Sequence, residues 1–242
     1  MSQSQTPPKP ASRTRIKICG LTREEDVDAA VAAGADAIGF VRYAKSPRHV
    51  SAERAAELIR RLPPFVSSVL LYVNESAKQI AADCAMAAPT TLQLHGDETP
   101  AHCEAIARAC GRPWLRAARI PLNPPPGASS FNLVEFAQDF HLAQAILLDA
   151  EVEGYGGGGK AFQWSLLPPS VNAHLVLSGG LTPANVGGGI RALRGCGFSL
   201  AVDVSSAVEA DGPDGKPLKG IKDAGKIRQF VAAVQAADAH HE

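Results

Sequence analysis

A thiol and a carboxyl group each follow a predicted strand, where they could act as a base and an acid. Cys19 ends the apolar run at residues 16–18, and Asp149 ends the run at residues 145–148. In parallel α/β folds, ligands bind at the edge where the strands end. The two groups could therefore face each other and exchange protons with a ligand. The alternatives are a cysteine that only packs and an aspartate that only forms a turn.

Two other strand ends have the composition of phosphate-binding turns. Gly179 and Gly180 follow the apolar run at residues 175–177, and the sequence predicts a helix that begins at Thr182 and Pro183. The second is a polar turn after the last predicted strand, with the candidate residues Asp203, Ser205 and Ser206. Glycine lets backbone amides approach an anion closely, and the start of a helix favours negative charge. In barrels the loops after strands seven and eight are the usual phosphate site, which favours this reading over two ordinary turns.

Two basic side chains lie in loops of the predicted fold. Arg48 could bind a ligand carboxylate through its planar guanidinium, and its alternative is a solvated loop charge. His95 follows the fourth predicted strand and could make a polar contact with a ligand, although a lone histidine is more often structural. The sequence has no Ser-His-Asp pattern and no metal-ligand spacing. We therefore expect neither a metal nor a cofactor.

Four consecutive glycines at residues 156–159 precede Lys160 and resemble a phosphate loop only superficially. They lack the Gly-x-x-x-x-Gly-Lys-Ser/Thr pattern that binds nucleoside triphosphates. So many glycines leave the backbone very free, and we therefore predict a mobile loop over the site.

The strand pattern predicts a single (β/α)₈ barrel within α/β proteins. Apolar runs that alternate with helical segments lie at residues 16–18, 36–41, 66–73, 91–94, 114–117, 145–148, 175–177 and 200–202. Eight such units over 242 residues fit a barrel. An open doubly wound sheet is the alternative. The barrel is preferred because candidate functional residues follow many different strands.

The domain boundaries follow from the two ends of the chain. Residues 1–13 are polar and proline-rich and predict a disordered tail without a signal peptide. Residues 14–237 form the predicted barrel, with its last helix at 223–237, and residues 238–242 a frayed end. Thr22 and Glu25 have the spacing of a capping box and predict the start of the first helix.

Composition limits the partners of the chain. The 24 basic and 24 acidic residues balance, which argues against broad binding of nucleic acid or of an anionic membrane. No apolar run approaches the roughly 18 residues of a membrane span. The five cysteines form no C-x-x-C pair, and with no secretion signal they point to a reducing compartment, the cytoplasm. The expected partner is a small molecule, and the choice between monomer and homodimer stays open.

Taken together, the motifs closely resemble phosphoribosylanthranilate isomerase, the barrel enzyme family of tryptophan biosynthesis. The matching segments are Lys17-Ile18-Cys19-Gly20-Leu21-Thr22, Gly39-Phe40, Ser46-Pro47-Arg48, Gln93-Leu94-His95-Gly96, Leu148-Asp149, Gly156 to Lys160 with Phe162 and Trp164, Leu177-Ser178-Gly179-Gly180-Leu181, Asp203-Val204-Ser205-Ser206, Val208-Glu209, Gly220-Ile221-Lys222-Asp223 and Lys226-Ile227. They span residues 15–234, and their joint order is far more specific than any single motif.

The resemblance implies a cofactor-free Amadori rearrangement of N-(5-phosphoribosyl)anthranilate to 1-(2-carboxyphenylamino)-1-deoxyribulose 5-phosphate. By analogy with the family, Asp149 is the general acid that protonates the ribose ring oxygen, and Cys19 is the base that removes the C2 proton. Arg48 would hold the anthranilate carboxylate, and the turns at Gly179-Gly180 and at residues 203–206 would hold the phosphate.

The chain departs from the family pattern at several positions, of which Ala207 bears most on the site. The family commonly has glycine there, so the geometry of the second phosphate turn is in question. Two other functions compete with the isomerase. Another phosphosugar-binding barrel enzyme would favour paired carboxylates or a metal-binding histidine set, and a catalytically silent phosphate binder would not need both Cys19 and Asp149.

Overall fold

The computed structural model describes residues 13–122, 131–151, 164 and 167–239, and in these residues eight parallel strands close into a barrel. The strands run in chain order as β1 (Arg15–Cys19), β2 (Ala37–Val41), β3 (Ser67–Tyr72), β4 (Thr91–Leu94), β5 (Trp114–Ile120), β6 (Ala145–Ala150), β7 (Leu175–Leu177) and β8 (Leu200–Val204). Because β8 pairs with β1, the sheet has no open edge. The predicted barrel is confirmed, and the open doubly wound sheet is excluded.

Helices connect the strands on the outside. They are α1 (Glu24–Ala32), α2 (Ala52–Ile59), α3 (Ala77–Ala87), α4 (Pro100–Cys110), α5 (Leu133–Asp139), α6 (Val186–Leu193) and α7 (Ala224–Ala239). The side chains of Ser51, Ser76 and Thr99 accept hydrogen bonds from the first turns of α2, α3 and α4 and so fix where these helices begin. The connection from β6 to β7 includes the glycine run at 156–159 and Lys160, so the predicted mobile loop lies outside the described residues.

The strands alternate between two apolar regions. Outward side chains pack against the helices in the main core, with fully buried residues such as Ile18, Leu92 and Phe230. Inward side chains form a smaller layer around Leu115 and Leu147, and a second layer that includes Cys19. This alternation follows from the period of two along a strand. It points Cys19 into the barrel.

Some boundaries differ from the sequence prediction. Strand β8 extends past residue 203, so Asp203 lies within a strand rather than in the predicted turn, and β6 extends one residue beyond Asp149. Helix α6 begins at Val186, not at residues 182–183, because the Asn185 side chain accepts from the Thr182 amide and stabilises a turn there. The capping box is wrong: Arg23 is the N-cap residue of α1 without a side-chain cap, and the Thr22 hydroxyl donates to the carbonyl of Gly220 at 2.7 Å.

An antiparallel hairpin after β8 was not predicted. Strands β9 (Glu209–Asp211) and β10 (Pro217–Lys222) pair with each other outside the barrel. A short 3₁₀ helix at Ser206–Val208 connects β8 to the hairpin. The hairpin brings Glu209 and Lys222 to the carboxyl-terminal end of the barrel.

The two ends of the described chain are tied together. Thr14 donates to the Asp238 carboxylate through its amide at 2.8 Å and its hydroxyl at 2.7 Å, and Arg194 contacts the same group. Helix α7 therefore continues beyond residue 237, where the barrel was predicted to end. Residues 1–12 of the predicted tail lie outside the described residues. Asp238, which belongs to the segment 238–242 that was predicted to fray, is held in place by these contacts. Among the described helices, none is long and apolar enough to cross a membrane.

Candidate active site

Cys19 lies at the carboxyl end of β1 with its thiol in a tight space. The residue is 4% exposed and packs with apolar side chains of β2 and β3. A Cβ atom on Gly39 of β2 would lie 2.7 Å from the Cys19 sulfur, so this position leaves no room for any larger residue. The hydroxyl of Ser205 donates to the Cys19 carbonyl at 3.0 Å. The turn after β8, to which Ser205 belongs, is thus in direct contact with the predicted base, Cys19.

Lys17 lies two residues before Cys19 and faces the same interior. Its ammonium donates to the Asp203 carboxylate at 2.9 Å, and both groups are buried. Burial by itself lowers the pKa of Lys17, but the attraction of Asp203 and Cys19 outweighs it and raises the pKa above its ordinary value. Lys17 therefore stays charged beside the thiol. Asp203, predicted to belong to a phosphate turn, instead holds this lysine.

The pKa of Cys19 reflects opposing influences. Burial raises it, Lys17 lowers it through its charge and a hydrogen bond, and Asp203 raises it again. The net result is a pKa above the ordinary value for a thiol. The Lys17 ammonium is the main group that favours the thiolate here, because an opposite charge stabilises the charged form.

Arg48 makes a buried ion pair that the sequence did not predict. Its Nε and Nη2 donate to the two carboxylate oxygens of Glu209 at 2.7 and 2.9 Å. A guanidinium has five N–H donors, so the edge formed by Nη1 and Nη2 still has donors for a second carboxylate. Burial by itself raises the pKa of Glu209. The combined effect of Arg48, Lys222 and the Gly220 amide is larger and lowers it, so the pKa of Glu209 lies below its usual range.

Lys222 completes this group on strand β10. Its ammonium donates to the Ser205 carbonyl at 2.8 Å and lies 3.4 Å from a Glu209 oxygen. Burial lowers the pKa of Lys222 to about 8, against the attraction of Glu209. The hairpin thus holds Arg48 through Glu209 and supports the turn after β8 through Lys222.

Asp149 lies opposite, on β6, and contacts His95. One carboxylate oxygen, Oδ2, is 3.0 Å from His95 Nε2, and the other, Oδ1, accepts from the Ala150 amide at 3.0 Å. The second ring nitrogen of His95, Nδ1, is 2.8 Å from the side-chain amide of Gln93. All three side chains are buried. His95 is therefore placed to act on the predicted acid.

The glycine turn after β7 approaches Asp149. Gly179 has φ +74° and Gly180 has φ +62°, and a Cβ on Gly179 would lie 2.6 Å from the Ala150 nitrogen. Both the conformation and the close approach require glycine there. Within the described part of the chain, no acceptor is hydrogen-bonded to the Gly179 or Gly180 amides. The Gly180 carbonyl accepts from the Asn185 side chain at 2.9 Å, which fixes the turn.

The turn after β8 tolerates alanine at position 207. Ser206 and Ala207 lie in the short 3₁₀ helix, and Ala207 is not among the described residues with positive φ. No left-handed conformation is needed there, so the missing glycine causes no backbone strain. Ser205 and Ser206 are partly exposed, as a ligand-binding turn requires.

The structure therefore arranges the predicted residues in two groups around the barrel mouth. Cys19, Arg48, Asp203 and Ser205 form one group, and His95, Asp149 and Gly179 form the other. Sequence reasoning missed the residues that position them, namely Lys17, Gln93, Glu209 and Lys222. A signal existed for two of them: Lys17 and Gln93 are polar residues inside apolar strands. Among residues 13–122, 131–151, 164 and 167–239, no cluster of three or more His, Cys, Asp or Glu side chains could hold a metal ion.

Comparison with known proteins gives a consistent result. The family model described as N-(5'phosphoribosyl)anthranilate (PRA) isomerase matches residues 16–233. The isomerase of Methylibium petroleiphilum is 59% identical over 94% of this chain and 96% of the relative, and that of Dechloromonas aromatica is 56% identical over 93% and 98%.

Solved structures agree with the sequence relatives. The crystal structure of phosphoribosyl anthranilate isomerase from Thermotoga maritima has a TM-score of 0.76 and 37% identity, and covers 92% of this chain and 99% of its own. Another crystal structure of the isomerase, in complex with reduced 1-(o-carboxyphenylamino)-1-deoxyribulose 5-phosphate, has a TM-score of 0.73 and 35% identity over 92% and 99% of the two chains. The fold, the arrangement of the site and these relatives lead to one conclusion: the chain belongs to the N-(5'-phosphoribosyl)anthranilate isomerase family.

Proposed function

We propose that this chain isomerises N-(5'-phosphoribosyl)anthranilate by acid–base chemistry, with Asp149 as the acid and Cys19 as the base. The isomerase activity and its place in tryptophan biosynthesis follow from membership of the family. The roles of the individual residues are our proposal. The observation that carries it is the placement of a buried thiol and a buried carboxyl group at the ends of β1 and β6, three strands apart around one barrel mouth.

The acid step opens the sugar ring. Asp149 gives a proton to the ribose ring oxygen as the bond from that oxygen to C1 breaks, and an iminium forms at C1. The carboxyl group is fixed for this task, since the Ala150 amide and His95 hold its two oxygens. Such positioning of the reacting group contributes to the rate, because little reorganisation is needed in the transition state. We assign His95 the role of holding the Asp149 carboxyl group in place through this contact.

The base step removes the proton from C2. Cys19 takes this proton as a thiolate, and the electron pair neutralises the iminium to give an enolamine, which tautomerises to the ketone. A buried thiol is a weak proton acceptor unless its charged form is stabilised. The Lys17 ammonium offsets part of the cost of burying that charge, and Asp203 keeps the lysine in place, while the net pKa of Cys19 stays above the ordinary thiol value. Neither step needs a metal.

The two ends of the substrate bind at different places. We assign the phosphate to the amides of Gly179 and Gly180 and to the turn with Ser205 and Ser206, which follow β7 and β8 as in other barrels. Asp203 takes part only by holding Lys17, since its own negative charge would repel a phosphate. The anthranilate carboxylate binds the Nη1–Nη2 edge of Arg48, and the solved relative in complex with the reduced product analogue supports a substrate of this class.

An assay of anthranilate fluorescence tests the function. Purified protein is mixed with freshly made N-(5'-phosphoribosyl)anthranilate in the presence and absence of excess chelator. We expect the signal to change faster than by spontaneous decay of the substrate, at the same rate with chelator. No turnover in either condition would refute the isomerase function, and turnover only without chelator would refute the metal-free mechanism. A cytoplasmic location is also part of the proposal, and the five cysteines, all free in the structure, support it because free thiols persist in a reducing compartment.

A further inference from the structure

A carboxylate on the hairpin outside the barrel sets the orientation of the Arg48 guanidinium. Glu209 Oε1 accepts from Arg48 Nε at 2.7 Å and Oε2 accepts from Nη2 at 2.9 Å, so two parallel hydrogen bonds join the two planar groups. Oε1 also accepts from the Gly220 amide at 2.8 Å and lies 3.4 Å from the Lys222 ammonium. Both oxygens of Glu209 are thus used within the protein, and this carboxylate holds Arg48 rather than a ligand.

The aliphatic part of Arg48 is held as closely. A Cβ atom on Gly20, which follows Cys19 with φ +75°, would lie 2.6 Å from Arg48 Cδ, so the side chain passes directly over the turn after β1. The Thr22 hydroxyl donates to the Gly220 carbonyl at 2.7 Å and ties the hairpin to the same turn. The guanidinium therefore cannot rotate without losing its contacts with the hairpin.

One edge of the guanidinium remains for a ligand. Nε and one N–H of Nη2 face Glu209, which leaves Nη1 and the second N–H of Nη2 on the adjacent edge. Among the residues that the structure describes, Nη1 has no hydrogen-bond partner. The Arg48 side chain is 9% exposed and that of Glu209 is 0% exposed, so the accessible part of the pair belongs to Arg48. The Nη1–Nη2 edge thus faces accessible space in a fixed direction.

Charge and direction come from different residues of this group. Together with Lys222, the pair forms a buried cluster of two cations and one anion. The surplus positive charge attracts an anion wherever its carboxylate is attached, because a charge acts over distance. The two parallel hydrogen bonds to Glu209 add a direction, because a guanidinium binds a second carboxylate best within its own plane.

We propose that Glu209 determines which position on the substrate ring can carry the carboxylate. By fixing the free edge of Arg48, it favours a carboxylate on the ring carbon next to the amine and disfavours one on the far side of the ring. Binding of the neighbouring carboxylate also places C1 of the sugar, which is bonded to the amine, near Cys19. The inference rests on the proposed binding of the anthranilate carboxylate by Arg48 and makes Glu209 a positioning residue.

Two inhibitors that differ only in the position of a carboxylate test this role. Reduced 1-(o-carboxyphenylamino)-1-deoxyribulose 5-phosphate, which a solved relative binds, is compared with its para isomer, which has the same charge. Their Ki values are measured in the fluorescence assay. Glu209→Asp keeps the charge but is too short to meet both Nε and Nη2. We expect the wild type to prefer the ortho isomer at least about tenfold, and Glu209→Asp to lose most of this preference.

Lys222→Met is the matched control, because it removes a charge and leaves both hydrogen bonds between Glu209 and Arg48. It should weaken both isomers by a similar factor and keep the wild-type ratio of the two Ki values. Circular dichroism and the urea midpoint check the fold, and Glu209→Gln takes the place of Glu209→Asp if the latter does not fold. A wild-type ratio in the Glu209 variant, or no ortho preference in the wild type, would overturn the proposal.

The ratio in Arg48→Ala separates this inference from the proposed function. If Arg48→Ala keeps the wild-type ratio, Arg48 does not bind the carboxylate, and both its proposed role and the role of Glu209 are refuted. If Arg48→Ala loses the preference while Glu209→Asp keeps it, binding of the carboxylate by Arg48 stands and only the role of Glu209 is refuted. Loss of the preference in both variants is the result that we expect.

Discussion

Replacing Lys17 with methionine tests how the barrel interior holds its charges. Lys17 and Asp203 form an ion pair with side chains 5% and 6% exposed, so the substitution leaves a buried carboxylate without its counterion. Breaking one partner of such a pair costs about 3–5 kcal/mol. A domain has only about 5–15 kcal/mol of stability in total. We therefore expect Lys17→Met to fold but to lose a large part of its free energy of unfolding.

The double variant Lys17→Met/Asp203→Val is the control. It replaces the whole pair with apolar side chains, which is often neutral or stabilising. Urea unfolding at pH 7 gives the free energy of unfolding for the wild type, for Lys17→Met and Asp203→Val alone, and for the double variant. We expect the double variant to recover most of the loss. A loss below about 1 kcal/mol in Lys17→Met, or a double variant less stable than both single variants, would refute the reasoning.

Three further predictions concern the site. Gly39→Ala places a methyl group 2.7 Å from the Cys19 sulfur and displaces the thiol, so kcat should fall about 100-fold while the fold is kept. Gly187→Ala is the control: the nearest atom to its methyl group is 3.4 Å away, and kcat should stay unchanged. Burial lowers the pKa of Lys222 to about 8, so as the pH rises the folded state releases this proton before the unfolded state does. The free energy of unfolding of the wild type, measured with urea, should therefore rise relative to that of Lys222→Met between about pH 8 and 10.5. A difference in free energy of unfolding that stays constant over this pH range would contradict the prediction. Arg48→Lys keeps the charge but loses the planar fork, so KM should rise about tenfold with a smaller change in kcat; an unchanged KM would exclude Arg48 from substrate binding.

The sequence predicted the barrel because each strand is covered on both faces and therefore forms an apolar run. The start of α4 agrees with its residue types, because Thr99 precedes a proline and its side chain caps the helix. The start of α6 could not be read in the same way. Asn185 accepts from the Thr182 amide and holds a turn, and this local competition is not visible in residue types.

The candidate acid and base were found from their places at strand ends, but their neighbours were not. Lys17 and Asp203 are 186 residues apart in the chain, and Arg48 and Glu209 are 161 residues apart. Such pairs form only when the barrel closes and the hairpin folds back, so no local pattern records them. Arg48 was predicted to be free for a ligand carboxylate, and its pairing with Glu209 became visible only in three dimensions.

The most direct test of the account is the value of kcat/KM in Cys19→Ala and Asp149→Asn, each compared with the wild type in the fluorescence assay. Loss of a general acid or base costs about 10²- to 10⁴-fold in rate. We predict a loss in this range for each variant, with circular dichroism and the urea midpoint showing that the barrel stays folded. Either variant with kcat/KM within about threefold of the wild type would remove that residue from the chemistry and contradict the central claim.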